Sequence, residues 1–116
     1  MTLKLVKWLG DSRERIRAFP ELPRHEAGYQ LERVQAGKEP KDWKPMPSAG
    51  IGVNEIRVRD DSGAFRVIYL AKFAEAVFVL HAFQKKGRKT AKADIDLARR
   101  RFRALVEERK RRSARG

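Results

Sequence analysis

A carboxylate and two guanidiniums lie close together in the sequence, at Glu55, Arg57 and Arg66. A carboxylate can accept a proton, and a guanidinium can bind two oxygens of a phosphate with its planar fork. RNA cleavage needs both, because a 2'-hydroxyl attacks the neighbouring phosphate and negative charge builds on the non-bridging oxygens. The residue types at these positions therefore suit a base and a charge stabiliser for this reaction.

Each step of that reaction has a candidate side chain. Glu55 could accept the proton of the 2'-hydroxyl, and Arg66 could bind the phosphate. Lys85 or Lys86 could add positive charge or assist the leaving oxygen. His81, which titrates near neutral pH, is a second candidate for acid or base. A reaction carried by these residues requires no metal ion.

A purely structural interpretation also exists for these residues. Glu55 and Arg66 could form an ion pair between two strands on a solvated sheet face, worth less than about 1 kcal/mol. Strand alternation places His81 on the same face as Val77, as a buried and hydrogen-bonded histidine. The cations from Lys85 to Lys89 could form a solvated loop, although lysines gain nothing from the positive end of the helix predicted after it.

Other side chains could contact nucleic acid without cutting it. Contacts from cations to phosphates position a backbone and do not read its sequence. The candidates are Arg59, Arg88, Lys89, Arg99 and Arg100. Trp43, in a proline-rich segment, is the candidate for stacking on an unpaired base, whereas Tyr69 and Phe83 have the spacing of core residues.

The sequence pattern predicts the strands and helices that carry these residues. Alternating apolar residues predict strands, and apolar stripes at three- and four-residue spacing predict helices. Prolines and glycines predict that Lys38 to Gly52 is an irregular loop. The predicted strands are Leu3 to Trp8, Val53 to Arg59, Ala64 to Ala71 and Ala76 to Phe83, and the predicted helices are Asp11 to Phe19, Pro23 to Ala36 and Thr90 onward. The order is β-α-α-β-β-β-α, an α+β class with a twisted, mainly antiparallel sheet packed against helices.

Alternation also predicts which strand residues share a face of the sheet. If the apolar residues of the second and third strands lie beneath the helices, Glu55, Arg57 and Arg66 converge on the opposite face. The apolar set is Ile56, Val58, Phe65, Val67 and Tyr69. Residues Asp61 to Gly63 supply turn residues between the two strands, so antiparallel pairing is expected.

Length and composition favour a single basic domain. A chain of 116 residues fits one domain, 1–116. Residues 1–37 hold a strand and two helices, 38–52 the loop, 53–83 a three-stranded meander, and 84–116 a basic loop and the C-terminal helix. The chain contains 28 Lys and Arg against 15 Asp and Glu, a net charge of +13, which favours nucleic acid or an acidic protein as partner. From Gln84 onward there are 14 cations and 4 anions, so the positive charge is concentrated in the last third.

Composition also excludes several classes of protein. Without cysteine there is no disulfide or thiolate metal site, and two histidines make a zinc site improbable. No apolar run approaches the roughly 20 residues of a membrane span, and the N-terminus lacks the apolar core of a secretion signal. We therefore expect no metal, no cofactor and no membrane partner, and a cytoplasmic location.

Four longer segments resemble a known family. GVNEIRVRDDSGAFRVIYL, followed by VFVLHAFQKKGRKTAKADIDLARRRF, is similar to the phage-derived toxins of the RelE and HigB superfamily of type II toxin-antitoxin systems. The segments LVKWLGDSRERIRAFP and LERVQAGKEPKDWKPM also resemble that family, so the similarity covers nearly the whole chain. The string HAFQKK is its most specific part.

The resemblance implies a fold, an activity and partners. It implies the small mixed fold predicted above and a toxin that enters the ribosomal A site and cleaves messenger RNA. It also implies a cognate antitoxin, often a helix-turn-helix protein encoded beside the toxin. By position, the family's catalytic face corresponds to Glu55 and Arg57 on one strand, Arg66 on the next, and Lys85 and Lys86 at the end of the last.

Two other classes of function stay open at this point. The chain could be a non-catalytic RNA- or ribosome-binding protein, or a toxin homologue without activity, in which case Glu55 would be dispensable. A DNA-binding regulator is the third class, but its recognition helix would follow another helix closely, whereas the last predicted helix follows a strand. Better-studied relatives place a tyrosine or histidine near the C-terminus, whereas only Phe102 is aromatic after Lys86, which leaves the acid and base open.

Overall fold

One five-stranded sheet and three helices form the part of the chain that the computed structural model describes, residues 3–115. The elements in chain order are β1 (Leu5–Trp8), α1 (Ser12–Arg17), α2 (Glu21–Gln35), β2 (Trp43–Pro45), β3 (Val53–Asp60), β4 (Gly63–Leu70), β5 (Ala76–Lys85) and α3 (Lys92–Arg115). The predicted α+β class is confirmed. Met1, Thr2 and Gly116 lie outside the described residues.

The sheet is mainly antiparallel, with strand order β1-β5-β4-β3-β2. The predicted meander is confirmed, since β3, β4 and β5 pair with their sequence neighbours. β1 pairs in parallel with β5, from Leu5 opposite Ala76 to Trp8 opposite Val79. A parallel partner requires a long crossover, which the two early helices and the other strands supply.

The prediction that residues 38–52 contain no regular structure is wrong. Trp43–Pro45 forms β2, a short edge strand in which Lys44 lies opposite Glu55 and Pro45 opposite Asn54. The rim of β3 offers unpaired backbone groups, and three residues suffice to pair with it. Pro45 is tolerated because β2 is an edge strand, where a missing N–H costs no ladder bond on the outer side.

The ends of other elements differ from the predicted ones by a few residues. α2 begins at Glu21, two residues before the predicted start at Pro23. Pro23 fits in the first turn because the N–H that a proline lacks would have no helical partner there. β5 continues to Lys85, two residues beyond the predicted end. Asp11 lies at the start of α1, as predicted, but its side chain makes no capping hydrogen bond.

The core lies on both faces of the sheet. On one face, the apolar residues of α1 and α2 pack on those of β3 and β4, as predicted. This cluster includes Ile16, Phe19, Ala27, Leu31, Val34, Ile56, Val58, Phe65, Val67 and Tyr69. On the other face, Ala98 of α3 is buried with Ile68, Leu70 and Leu80, and Phe102 and Leu105 pack against them.

Polar contacts add to the docking of α3. Arg101 donates from Nη1 to the Leu80 carbonyl at 2.9 Å and from Nη2 to Oδ1 of Asp11 at 2.8 Å. Hydrogen bonds from Arg15 and from Arg101 lower the pKa of Asp11 to about 2. Arg109 pairs with Glu75 farther along the helix. Arg99 donates to the Ser48 carbonyl from two nitrogens, at 2.9 and 2.7 Å. Arg99, Arg101 and Arg109, which could attract a polyanion from a distance, thus all make contacts within the fold.

Candidate functional site

Three rows of side chains cross the sheet on the face that α3 covers in part. Partners across an antiparallel ladder point to the same face, so the register determines which side chains are neighbours. The first row is Arg59, Ala64 and Lys85, the second is Arg57, Arg66 and Phe83, and the third is Glu55, Ile68 and His81, with Lys44 beside Glu55. The predicted convergence of Glu55, Arg57 and Arg66 on one face is confirmed.

These rows surround a hollow of about 520 Å³, which we call the cationic basin. Its lining comprises Lys44, Glu55, Arg57, Arg59, Arg66, Lys85, Gly87, Arg88 and Thr90. Six of these nine residues are cations and one is a carboxylate. None of the ion pairs found within residues 3–115 uses a basin cation other than Arg66. The positive charge of the basin is thus available to an anion.

Arg66 and Glu55 lie at the bottom of the basin. Nε of Arg66 lies 3.8 Å from Oε2 of Glu55, and the two side chains are 4% and 13% exposed. That distance is too long for a hydrogen bond, and both atoms are buried without a partner. Nη1 of Arg66 donates to the Phe65 carbonyl at 3.1 Å, which orients the guanidinium. The pair thus leaves one donor atom and one acceptor atom without a hydrogen bond at the bottom of the basin.

Burial lowers the pKa of the Arg66 guanidinium from its ordinary value. The Glu55 carboxylate opposes this shift, whereas the neighbouring Arg57 and Arg59 add to it. An anion bound in the basin would favour the charged form of Arg66, because it would offset the repulsion from Arg57 and Arg59.

Lys85 shapes the rim of the basin at the end of β5. Its Nζ donates to the carbonyls of Gly87 at 2.8 Å and Arg88 at 2.5 Å, so the ammonium holds the loop that follows the strand. Gly87 has a φ of 86°, a left-handed conformation that favours glycine. The turn brings Arg88 and Thr90 to the basin wall.

Several of the predicted site residues lie outside the basin. Lys86 and Lys89 are exposed on the loop after β5 and do not line the hollow. Arg99 and Arg100 lie on α3, where Arg100 is exposed. The basin thus brings together Glu55, Arg57, Arg59, Arg66, Lys85 and Arg88 from the predicted set.

His81 lies on the opposite face from the one that alternation predicts. The ladder between β4 and β5 shifts at Ile68 and Tyr69, so that Tyr69 pairs with Val79 and Ile68 with His81. The bulge at Leu80 reverses the alternation, and the imidazole stacks on Phe83 with ring centroids 5.1 Å apart. Simple alternation carries no signal for a bulge, which is why the prediction failed.

The prediction of a buried, hydrogen-bonded histidine is confirmed. His81 is fully buried, and its Nε2 lies 2.8 Å from Oδ1 of Asp94 in the first turn of α3. Because a carboxylate accepts, Nε2 carries the proton, and the buried Nδ1 has no hydrogen-bond partner. Burial lowers the pKa of His81, and the Asp94 contact opposes the shift. His81 therefore anchors α3 beside the basin and does not line it.

Three basin residues, Lys44, Gly87 and Thr90, were missed by sequence reasoning. Lys44 reaches the basin because β2 places it opposite Glu55, and Thr90 because the loop after Gly87 turns back. The signal for Lys44 was the alternation in DWKPM, which the prolines obscured. Trp43, in β2, is half-buried and its Nε1 donates to Glu39 at 3.3 Å. Tyr69 and Phe83 are buried core residues, as predicted.

The described residues contain no cluster of metal ligands and no membrane-spanning helix. Between residues 3 and 115, no group of three or more His, Cys, Asp or Glu side chains is placed to hold a metal ion. In the same part of the chain, no helix has the length and apolar character needed to cross a bilayer.

The chain belongs to the family of phage-derived Gp49-like proteins (DUF891), whose model matches residues 14–103. The match covers most of α1 and all elements from α2 to β5, together with the first half of α3. It therefore includes every residue that lines the cationic basin. No curated protein matches the chain.

Proposed function

We propose that this protein is a toxin of the RelE and HigB superfamily in a type II toxin-antitoxin system, and that it cleaves messenger RNA. The Gp49-like family is a family of RelE-like toxins, which supports the toxin class. The cleavage would take place on the ribosome and would stop translation. The chain would accordingly act in the cytoplasm, where a cognate antitoxin encoded beside it would neutralise it.

The observation that carries this proposal is a buried arginine beside a largely buried carboxylate, at the bottom of a basin lined by further cations. A phosphodiester brings one negative charge to this basin, and more charge develops on its oxygens as the 2'-hydroxyl attacks. Cations that are already oriented stabilise this developing charge without reorganisation. The 3.8 Å separation between Arg66 and Glu55 leaves the guanidinium able to donate to a phosphate.

The roles follow from the chemistry of each group. Glu55 is the base that takes the proton of the 2'-hydroxyl, and Arg66 binds the non-bridging oxygens with Arg57. Lys85 and Arg88, on the opposite wall, lie where charge on the leaving oxygen can be stabilised. The proton for the leaving 5'-oxygen comes from a lysine of this wall or from water. Lys86 and Lys89, outside the basin, contact the RNA backbone on either side.

The arrangement of the arginines is difficult to explain by stability alone. Arg57 and Arg66 lie directly opposite each other in the ladder, and like charges in that position destabilise a sheet. Arg59 adds a third cation in the neighbouring row. An anionic ligand converts this repulsion into binding free energy, so the basin is better suited to hold a phosphate than to be empty.

The proposal is tested by expression in a bacterial host. Expression of the unaltered chain is expected to arrest growth and to create new 5' ends within messages. Arg66→Lys keeps the charge beside Glu55 but loses the planar fork, and is expected to reduce cleavage about 100-fold or more, as loss of a transition-state hydrogen bond does. Arg24→Ala, which removes an exposed arginine of α2, is the matched control and is expected to stay toxic.

The result also separates an enzyme from a binding protein. Circular dichroism must show that the Arg66→Lys protein is folded. If folded Arg66→Lys and Glu55→Gln proteins both arrest growth as strongly as the unaltered chain, the catalytic roles are wrong. A chain that arrests growth while all messages stay intact would be a non-catalytic RNA- or ribosome-binding protein.

A further inference from the structure

The edge of β3 is free over its last residues. Odd-numbered residues of β3 direct their backbone groups toward β2: the Val53 carbonyl accepts from Met46 at 2.8 Å, and the Arg57 N–H donates to the Asp42 carbonyl at 2.9 Å. β2 ends the ladder with Trp43 opposite Ile56, so Arg59 has no residue opposite it. The N–H and C=O of Arg59 therefore point outward from an open sheet edge.

The chain before β2 turns away from this edge toward α2. The backbone N–H of Lys41 donates to the side-chain oxygen of Gln30 at 2.7 Å, which ties the connecting segment to the helix. A groove of about 630 Å³ remains between α2 and the open edge. It is lined by Leu22, Pro23, His25, Glu26, Tyr29 and Gln30 of α2, by Lys41 and Asp42, and by residues 57–60 of β3.

The wall of the groove on α2 presents apolar side chains to solvent. Leu22 is 72% exposed and Tyr29 is 56% exposed, and they lie seven positions apart on the same side of the helix. Among residues 3–115, five large hydrophobic residues are exposed, and two of them line this groove. Clusters of exposed apolar side chains rimmed by polar residues mark protein interaction sites.

The free charges of the groove favour an acidic partner. Lys41, Arg57 and Arg59 take part in none of the ion pairs found in the described residues. Two of the three carboxylates in the groove are already engaged. Glu26 accepts from Gln30 at 2.6 Å, and Asp60 accepts from the N–H of Ser62 at 2.8 Å.

We propose that an extended, acidic segment of a partner protein adds to β3 at Val58–Asp60 and lies between the sheet edge and α2. Its backbone would pair with the N–H and C=O of Arg59, continuing the row of β2. Its apolar side chains would pack on Leu22 and Tyr29, and its carboxylates would meet Arg57 and Arg59. Beyond the Arg57–Asp42 contact the open edge is three residues, Val58 to Asp60, or roughly 10 Å long, enough for a short strand.

A polypeptide fits this groove better than RNA does. The basin has one carboxylate among its lining residues, whereas the groove has Glu26, Asp42 and Asp60 in addition to its cations. RNA carries a negative charge at every phosphate, which these carboxylates oppose, and it could use the carbonyl of Arg59 only through a ribose hydroxyl. An extended peptide can pair with both the N–H and the C=O of Arg59 and can carry its carboxylates only where Arg57 and Arg59 lie. Arg57 and Arg59 line both hollows, so a bound segment would compete with RNA for them.

The inference rests on the proposed function in one respect: the partner used in the test is the proposed antitoxin, the protein encoded by the adjacent reading frame. Purified chain is titrated with that protein, and amide hydrogen exchange is followed at Arg59. We expect the Arg59 amide to become protected in the complex. The double variant Leu22→Ser, Tyr29→Ser is expected to weaken the complex at least tenfold while RNA cleavage is unchanged. Ile51→Ser, which alters a residue that is 83% exposed and outside the groove, is the matched control.

A second pair of variants isolates the backbone contact. Arg59→Pro removes the N–H of the open edge as well as the side chain, whereas Arg59→Ala removes the side chain alone, so the complex should be weaker with proline. Proline is tolerated at such an edge because the N–H that it lacks would face outward and would make no bond within the sheet.

Each outcome of these measurements decides the question. Normal affinity of the double variant, with an unprotected Arg59 amide, overturns the inference and leaves the proposed ribonuclease untouched. If the double variant loses RNA affinity and keeps the protein complex, the groove is an RNA site and the inference is wrong. If the unaltered chain forms no complex, both this inference and the proposed antitoxin partner fail, while messenger cleavage is decided separately.

Discussion

The two faces of β3 and β4 carry side chains of opposite character. Beneath α1 and α2, Ile56, Val58 and Val67 belong to an apolar cluster that is closed to solvent. On the other face the same strands carry Glu55 and Arg66, and α3 covers only part of that face. One face is explained by hydrophobic burial alone. The other contains uncompensated charge, which a fold selected for stability alone would not need.

This difference indicates where function lies. Apolar burial favours folding by about 25 cal/mol per Å² of buried surface, so the first face contributes to stability wherever it packs well. Two arginines opposite each other in a ladder repel and destabilise the sheet, and a bound anion would offset that repulsion. Changes on the first face should therefore reduce stability, and changes on the second should reduce RNA binding and cleavage.

The largest effect on stability is expected from Ile56→Ala. Ile56 is fully buried in the apolar cluster, and its truncation should lower the free energy of unfolding by about 2–5 kcal/mol. Ile51→Ala, at an exposed position, should change it by less than about 0.5 kcal/mol. Urea denaturation measures both. If RNA affinity per folded molecule fell with Ile56→Ala, the functional separation of the two faces would not hold.

A smaller effect, with opposite signs for stability and binding, is expected from Arg57→Gln. Removal of the charge opposite Arg66 should raise the free energy of unfolding by roughly 0.2–1 kcal/mol. The same change should weaken RNA binding and reduce the slope of affinity against salt by roughly 0.7. Arg24→Gln on the exposed side of α2 should change neither quantity. A less stable Arg57→Gln protein would contradict the electrostatic account of the basin.

A third effect, a dependence of stability on pH, is expected from His81. Because burial lowers the folded-state pKa of His81, the unfolded chain binds a proton that the folded chain does not. Its contribution to stability is present above the unfolded pKa of about 6.5 and is lost as the pH falls below it. The upper limit of this slope is about 1.4 kcal/mol per pH unit, the value for uptake of one full proton.

Matched histidine variants test this origin. His81→Gln should remove the dependence between pH 6.5 and the folded pKa, because its amide donates to Asp94 without titrating. His25→Gln, at the exposed histidine, should retain it. Unfolding by urea at a series of pH values measures the difference. An unchanged pH profile in His81→Gln would show that another group titrates.

Much of the architecture could be predicted from local pattern. Period-two alternation gave β3, β4 and the facing of Glu55 and Arg66, and apolar stripes gave α2 and α3. These features depend on the backbone geometry of single elements, which is a local property. Pairing of sequential strands in a meander then brought the predicted carboxylate and arginines together.

The failures share a different cause, because each depends on contacts that are distant in the sequence. β2 exists because β3 offers it an edge, and prolines hid it. The bulge that turns His81 toward α3 depends on the register with β4, and the Asp94 contact depends on where α3 docks. Arg99 was expected to contact nucleic acid, but it donates to the Ser48 carbonyl, and this contact has no signature in the local sequence. The same is true of the contact from Arg101 to the Leu80 carbonyl.

The most direct test of the basin's role is the chemistry of the RNA ends that the purified chain produces from ribosome-bound message. Attack by the 2'-hydroxyl predicts a 2',3'-cyclic phosphate on the upstream fragment and a 5'-hydroxyl on the downstream one. Glu55→Gln should slow their formation at least 100-fold in a single turnover. Fragments with 3'-hydroxyl and 5'-phosphate ends, or cleavage by Glu55→Gln at the full rate, would contradict the account.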